Sequence, residues 1–121
     1  MRWRPVWGSG MAKLRISPEA QADLKDIRAY VENESGDHET AMKLIAGITR
    51  RIRLLQEQPQ MGAPLTAQVR IITDYRYLVC GRYYAFYKCG ADSVEVIRIL
   101  HCSRNYVRIL FGISEHGTDE E

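Results

Sequence analysis

Apolar residues recur along this chain with two periods, one after the other. Ala20, Leu24, Ile27 and Val31 lie three or four residues apart, as do Ala41, Ile45, Ile48, Ile52 and Leu55, with Leu44 flanking. That spacing places each set on one face of an α-helix. Ser17-Pro18-Glu19 supplies the first start: the serine can cap, proline fits the first helical position, and a carboxylate suits the positive helix end. Ser35-Gly36-Asp37 breaks this helix after about Glu34, Asp37 caps the second, and Gln58-Pro59 stops it. So short a connection forces the two helices antiparallel, as a hairpin.

Beyond Met61 the texture changes. Gly62-Ala63-Pro64 reads as a loop, followed by four strands rich in β-branched and aromatic residues: Val69 to Ile72, Tyr75 to Cys80, Arg82 to Lys88, and Val94 to Leu100. Their short connections require antiparallel neighbours. In the last strand Val94, Val96 and Leu100 would share one face and Ile97 and Ile99 the other, the pattern of a central strand covered on both sides. Lys13 to Ile16 reads as a short opening strand, and Tyr106 to Phe111 as a brief helix ended by Gly112. The predicted fold is α+β: a short N-terminal strand, an antiparallel helical hairpin, an antiparallel meander of about four strands, and a short C-terminal helix. The hairpin covers one face of the sheet.

Composition narrows the class. A chain of 121 residues, 45% hydrophobic and 26% charged, suits a single globular core. No apolar run approaches the roughly 20 residues of a membrane span. Residues 1–10, MRWRPVWGSG, end in a Gly-Ser-Gly linker and read as a tag or non-native leader, without the apolar centre of a signal peptide. Residues 11–112 are then the domain, and 113–121 an acidic tail expected to be disordered. Residues 11–114 carry 15 basic against 11 acidic side chains, a mild excess that suits an anionic partner or an ordinary solvated surface equally. Lys43, Arg50, Arg51 and Arg53 lie largely off the second helix's apolar seam, as a solvated face or a binding patch. Three cysteines without a CxxC pair and without a secretion signal fit reduced thiols in a cytoplasmic protein.

Several chemistries can be set aside. His101 and Cys102 are adjacent on a strand end and point apart, so they do not form a nucleophilic pair. No phosphate-binding glycine loop occurs, and His38, His101 and His116 are too scattered for metal ligation. No cofactor and no metal are expected. What remains is a sheet bearing Arg70, Arg76, Arg82, Lys88 and Arg98 interleaved with tyrosines, a combination suited to RNA. Beside it come His101, Arg104 and Tyr106. The histidine could act as acid or base, the arginine could stabilise phosphorane charge, and the tyrosine could stack. From the residues alone a structural role comes first, with His101 satisfying backbone groups at the strand end.

Two stretches also carry a resemblance. Gly81-Arg82-Tyr83-Tyr84-Ala85-Phe86-Tyr87, followed by Ser93-Val94-Glu95-Val96-Ile97-Arg98-Ile99-Leu100-His101-Cys102-Ser103-Arg104-Asn105, resembles the "GRYxxFY" and "VEVLRVLHGxRD" pattern of the RelE/ParE superfamily of bacterial toxins. Leu14-Arg15-Ile16-Ser17-Pro18-Glu19-Ala20 with Asp23-Leu24 resembles its "SPxAxxDLxxI" start, and Pro59-Gln60-Met61-Gly62 its helix-to-sheet junction. The resemblance spans about residues 12–111, and Asn105 stands where the pattern has an acid. It implies a toxin of a type II toxin–antitoxin module, of the kind that stabilises plasmids, bound by a cognate antitoxin. A homodimer or a toxin–antitoxin heterotetramer is the corresponding assembly.

The hairpin and the Leu100-His101-x-x-Arg104 ending resemble the ParE branch, whose members inhibit DNA gyrase and are not nucleases. Arg50, Arg53, Arg70, Arg76 and Arg98 would then contact target or antitoxin. Under the RelE alternative, a ribosome-dependent mRNA endonuclease, His101 would be the acid/base, with Arg82 and Arg104 at the phosphate and Tyr106 stacking. A third alternative is a non-toxic component that only binds its antitoxin.

Overall fold

In the computed structural model, residues 12–67 and 73–112 are described. The chain runs β1 (Lys13–Ile16), α1 (Pro18–Ser35), α2 (His38–Arg53), β2 (Ala63–Pro64), β3 (Arg76–Cys80), β4 (Tyr83–Cys89), β5 (Ser93–His101) and α3 (Tyr106–Phe111). Single 3₁₀ turns at Leu54–Gln56 and Leu65–Ala67 join the pieces. The predicted caps form. Ser17 Oγ accepts the Ala20 N–H at 3.0 Å, and Asp37 accepts the Glu39 N–H at 3.1 Å. Both helix starts thus satisfy one of their otherwise unpaired N–H groups through a local side chain.

One five-stranded sheet carries the order β1-β5-β4-β3-β2. β2 to β5 form an antiparallel meander, and β1 closes the other side by pairing parallel to β5, with Lys13 opposite Ser93 and Ile16 opposite Val96. The expected strand Val69 to Ile72 lies outside the described residues. The expected loop Gly62-Ala63-Pro64 contains instead the two-residue β2, which pairs with Tyr77 and Arg76. Proline is tolerated there because β2 is an edge, where no outward N–H is required.

A register shift between Phe86 and Tyr87 places Val96 opposite Tyr87 but Arg98 opposite Phe86, so Ile97 is the extra residue of a β-bulge. The bulge inverts the alternation that the sequence suggests. Ile99, not Leu100, joins Val94 and Val96 in the core under the hairpin, and Leu100 turns to the opposite face with Phe86 and Val107. β5 is thus covered on both sides: by α1 and α2 over Tyr87, Leu78, Ile48 and Ile52, and by α3 over an aromatic layer.

Two contacts fix the hairpin to the sheet. Gly62 donates its N–H to the Tyr87 hydroxyl at 3.0 Å, and Tyr87 is fully buried. A Cβ on Gly62 would lie 2.4 Å from the Tyr77 carbonyl oxygen, so only glycine permits this approach. Burial raises the Tyr87 phenol above its ordinary value, against the lowering effects of the Gly62 N–H and of Arg76.

The second contact lies where β1 ends and leaves the edge of β5 open. Ser17 donates its N–H to the Val96 carbonyl at 2.9 Å and its hydroxyl to the Ile97 carbonyl at 2.8 Å. Further along α1, Asp23 accepts the Ile99 N–H at 2.9 Å and receives Arg98 through Nε at 2.8 Å and Nη2 at 2.9 Å. Asp23 is 8% exposed, and pairing with its carboxylate raises the Arg98 pKa against the opposing effect of burial. Asp23→Ala would leave a half-buried guanidinium and a buried N–H without acceptors, and should cost about 2–4 kcal/mol. Urea denaturation should show a lower midpoint with an unchanged slope. A loss within ~0.5 kcal/mol, the level of an ordinary surface change, would show that the contact is incidental.

Candidate functional site

The end of β5 and the β3–β4 turn form one wall of a groove, and α1 forms the other. Gly81, at φ +64°, takes the left-handed turn position between β3 and β4 and so puts Arg82 at the tip. The Arg82 carbonyl accepts the Cys102 N–H at 2.8 Å, and the His101 carbonyl accepts the Arg104 N–H at 2.9 Å. These bonds hold the His101-to-Arg104 turn beside Arg82. Asn105 Oδ1 then accepts the Arg108 N–H at 3.3 Å and caps α3. Asparagine and aspartate both serve as caps, so the departure from the family's acidic residue keeps this role.

The groove has a volume of about 610 Å³ and is lined by Arg82, Tyr83, His101 and Arg104 on the sheet side and by Asp26, Ile27 and Tyr30 on α1. Arg82, Arg104 and Asp26 are exposed, and Tyr30 is 62% exposed. Asp23 also borders the groove, but its oxygens already accept from Arg98 and Ile99. Burial raises the Tyr83 phenol, and Tyr30 adds to the rise while Arg82 opposes it.

His101 is held in one orientation. Its Nδ1 accepts the Ser103 N–H at 3.1 Å and lies 2.8 Å from the Ser103 hydroxyl. Its ring meets Tyr83 edge-on, with centroids 5.2 Å apart. A backbone N–H can only donate, so Nδ1 of the neutral ring is the acceptor and the proton sits on Nε2. His101 therefore offers a donor toward a partner, and its basic nitrogen is occupied within its own turn.

Three of the four residues assigned to the nuclease alternative, Arg82, His101 and Arg104, come together. Tyr106 does not join them. It lies on the opposite face of the sheet, against Phe86 and Tyr84 at centroid distances of 5.1 and 5.8 Å.

The residues assigned to target or antitoxin contact are dispersed. Arg98 is engaged by Asp23. Arg76 donates through Nη2 to the Gly62 and Gln60 carbonyls at 2.6 and 3.1 Å, bracing the turn into β2. Arg50 and Arg53 are exposed in the last turn of α2, where cations suit the helix dipole, and Arg51 between them donates to the Val79 carbonyl. Arg70 lies outside the described residues.

Sequence reasoning missed Asp23, and a signal for it existed. A carboxylate three residues after Ala20 and four before Ile27 sits on the buried stripe of α1, where it requires a cation or N–H donor across the interface. Among the described residues, no cluster of three His, Cys, Asp or Glu side chains could hold a metal ion. No helix among them is long and apolar enough to cross a membrane.

Comparison with known proteins adds an independent line. Residues 14–106 match a family model described as the ParE toxin of a type II toxin–antitoxin system, parDE. The chain is similar to Toxin ParE1 of Caulobacter vibrioides, with 36% identity over 95 residues that cover 78% of this chain and 94% of that protein. A solved structure of a chromosomal ParDE system from P. aeruginosa superposes with a TM-score of 0.63 at 22% identity, covering 75% of this chain and 96% of the other. The toxin–antitoxin complex RelBE2 from Mycobacterium tuberculosis gives a TM-score of 0.55 at 18% identity, covering 75% and 91%. The last two likenesses bear on the fold alone.

The hydrogen bonds at His101 predict its ring state. In ¹⁵N spectra at mildly alkaline pH the proton should reside on Nε2, with Nδ1 bare. A ring protonated at Nδ1 when neutral would contradict the bond from Ser103.

Proposed function

The chain belongs to the ParE toxin family of type II toxin–antitoxin systems, and on that premise we propose that it inhibits DNA gyrase and is neutralised by a cognate antitoxin. The observation that carries the proposal is the family match from residue 14 to residue 106, which takes in β1, the hairpin, the meander and the start of α3. The groove's chemistry supports it. A metal-free nuclease needs a base free to take the 2′-hydroxyl proton, whereas His101 Nδ1 accepts from Ser103 and Tyr106 lies across the sheet. Exposed arginines on a hydrogen-bonded turn suit protein contact, because the planar guanidinium fork matches a carboxylate bidentately. Gyrase lies in the cytoplasm, and the protein acts there.

The second reading, a ribosome-dependent mRNA endonuclease, draws on the convergence of Arg82, His101 and Arg104. Parallel assays separate the two. The purified chain should stop negative supercoiling by gyrase in a dose-dependent way and leave ribosome-bound mRNA intact. Adding the product of the adjacent reading frame should restore supercoiling. Unimpaired gyrase together with cleaved mRNA would reverse the assignment.

A further inference from the structure

The two helices of the hairpin carry opposite charge. α1 holds five acidic and two basic side chains, whereas α2 holds four basic and one acidic, so an anion is drawn to α2 and turned away from α1. Among the described residues, Lys43, Arg50 and Arg53 enter no ion pair, and all three are exposed. At 100° per residue they point within about 80° of one another, on the side of α2 away from the buried Ala41, Ile48 and Ile52. Arg50 and Arg53 also complement the negative end of the helix, but Lys43 in mid-helix has no such role.

Between these cations the surface is low. Ala46 is exposed, and a Cβ on Gly47 would meet nothing within 4 Å. The exposed large apolar groups, Met42 and Leu54, stand before and beyond the cations and not among them. A protein partner needs an apolar, charge-poor centre to bury, and this face has the reverse arrangement. A phosphate backbone fits it. Lys43 to Arg53 spans about 15 Å along the axis, a little more than the roughly 12 Å major groove of B-DNA. Laid across that groove, α2 sets Lys43 on one row of phosphates and Arg50 and Arg53 on the other, with Ala46 and Gly47 over the opening. We infer that the outer face of α2 is a docking surface for double-stranded DNA, held through phosphates and indifferent to base sequence. Ala46 and Gly47 have no side-chain donor or acceptor for a base edge, and Thr49 bonds back to the Ile45 and Ala46 carbonyls. Glu39, one turn before Lys43, bounds the surface. The deep, narrow major groove of an RNA duplex does not offer the same seat.

The test is fluorescence anisotropy of a short labelled DNA duplex titrated with the full chain over a range of salt. Three phosphate contacts predict that the logarithm of the binding constant falls with the logarithm of salt at a slope of about −3, equal for two unrelated sequences. Lys43→Gln, Arg50→Gln and Arg53→Gln should each reduce that slope by about one. Gly47→Glu has room for its side chain and favours the helix, yet sets a carboxylate among the phosphates, and should weaken binding about tenfold or more. Glu39→Gln should strengthen binding, and Arg82→Gln with Arg104→Gln, at the separate groove, should leave it unchanged.

A slope near zero, binding lost through Arg82 and Arg104 but kept in the α2 variants, equal affinity for an RNA duplex, or equally strong competition by a polyglutamate peptide would overturn the inference. The surface belongs to this chain alone and stands apart from the gyrase reading. DNA binding with unimpaired gyrase keeps the surface and removes that reading. Gyrase inhibition without DNA binding removes only the surface.

Discussion

The carboxylate of Asp23 is the contact on which the arrangement of this fold depends. β1 pairs with β5 for only four residues, and past Val96 the edge of β5 would lie open. Ser17 and Asp23 take over where β1 stops, supplying a donor to the Val96 and Ile97 carbonyls and an acceptor to the Ile99 N–H. An open edge invites pairing with another chain, and α1 removes that hazard by serving as the edge's hydrogen-bonding partner. The same contact ties α1 to β5, the two elements that face each other across the groove between Tyr30 and Arg104. A carboxylate on a buried helix stripe is costly unless it is fully paired. Its three donors, two from Arg98 and one from Ile99, meet that requirement.

The bulge at Ile97 and the Asp23 contact act together. Without the extra residue, Ile99 would turn out of the hairpin core and Leu100 into it. With it, β5 places Val94, Val96 and Ile99 under the helices and gives Leu100 to the aromatic layer beneath α3. One strand thereby serves two cores and ends in the turn that carries His101 and Arg104. The backbone of this turn is fixed beside Arg82 by the Cys102-to-Arg82 and Arg104-to-His101 main-chain bonds.

Much of this was legible in the residue pattern. The helical stripes, the caps at Ser17 and Asp37 and the aromatic strands depend on local chemistry, and they formed where the sequence placed them. The parallel pairing of β1 with β5 was not legible, because it joins residues about eighty positions apart and leaves no local mark. The bulge was hidden for a related reason: continuous apolar runs such as Val94 to Leu100 do not reveal which residue is unpaired. Arg98 and Arg76 were read as outward groups since arginine on a strand is ordinarily solvated. Their partners, Asp23 and the Gly62 and Gln60 carbonyls, come from other elements. At the groove, the sequence brought His101 and Arg104 to one strand end but also enlisted Tyr106. The intervening turn and cap at Asn105 carry Tyr106 to the far face.

If Asp23 seals the edge of β5, the Ile99 amide must be protected as well as any in the sheet, although β1 never reaches it. Native-state hydrogen exchange measures this directly. The predicted result is that Ile99 exchanges only through global unfolding, with the same free energy as core amides of β4 such as Ala85. Exchange of Ile99 by local opening, at a free energy close to that of the exposed turn at Ser103, would contradict the account.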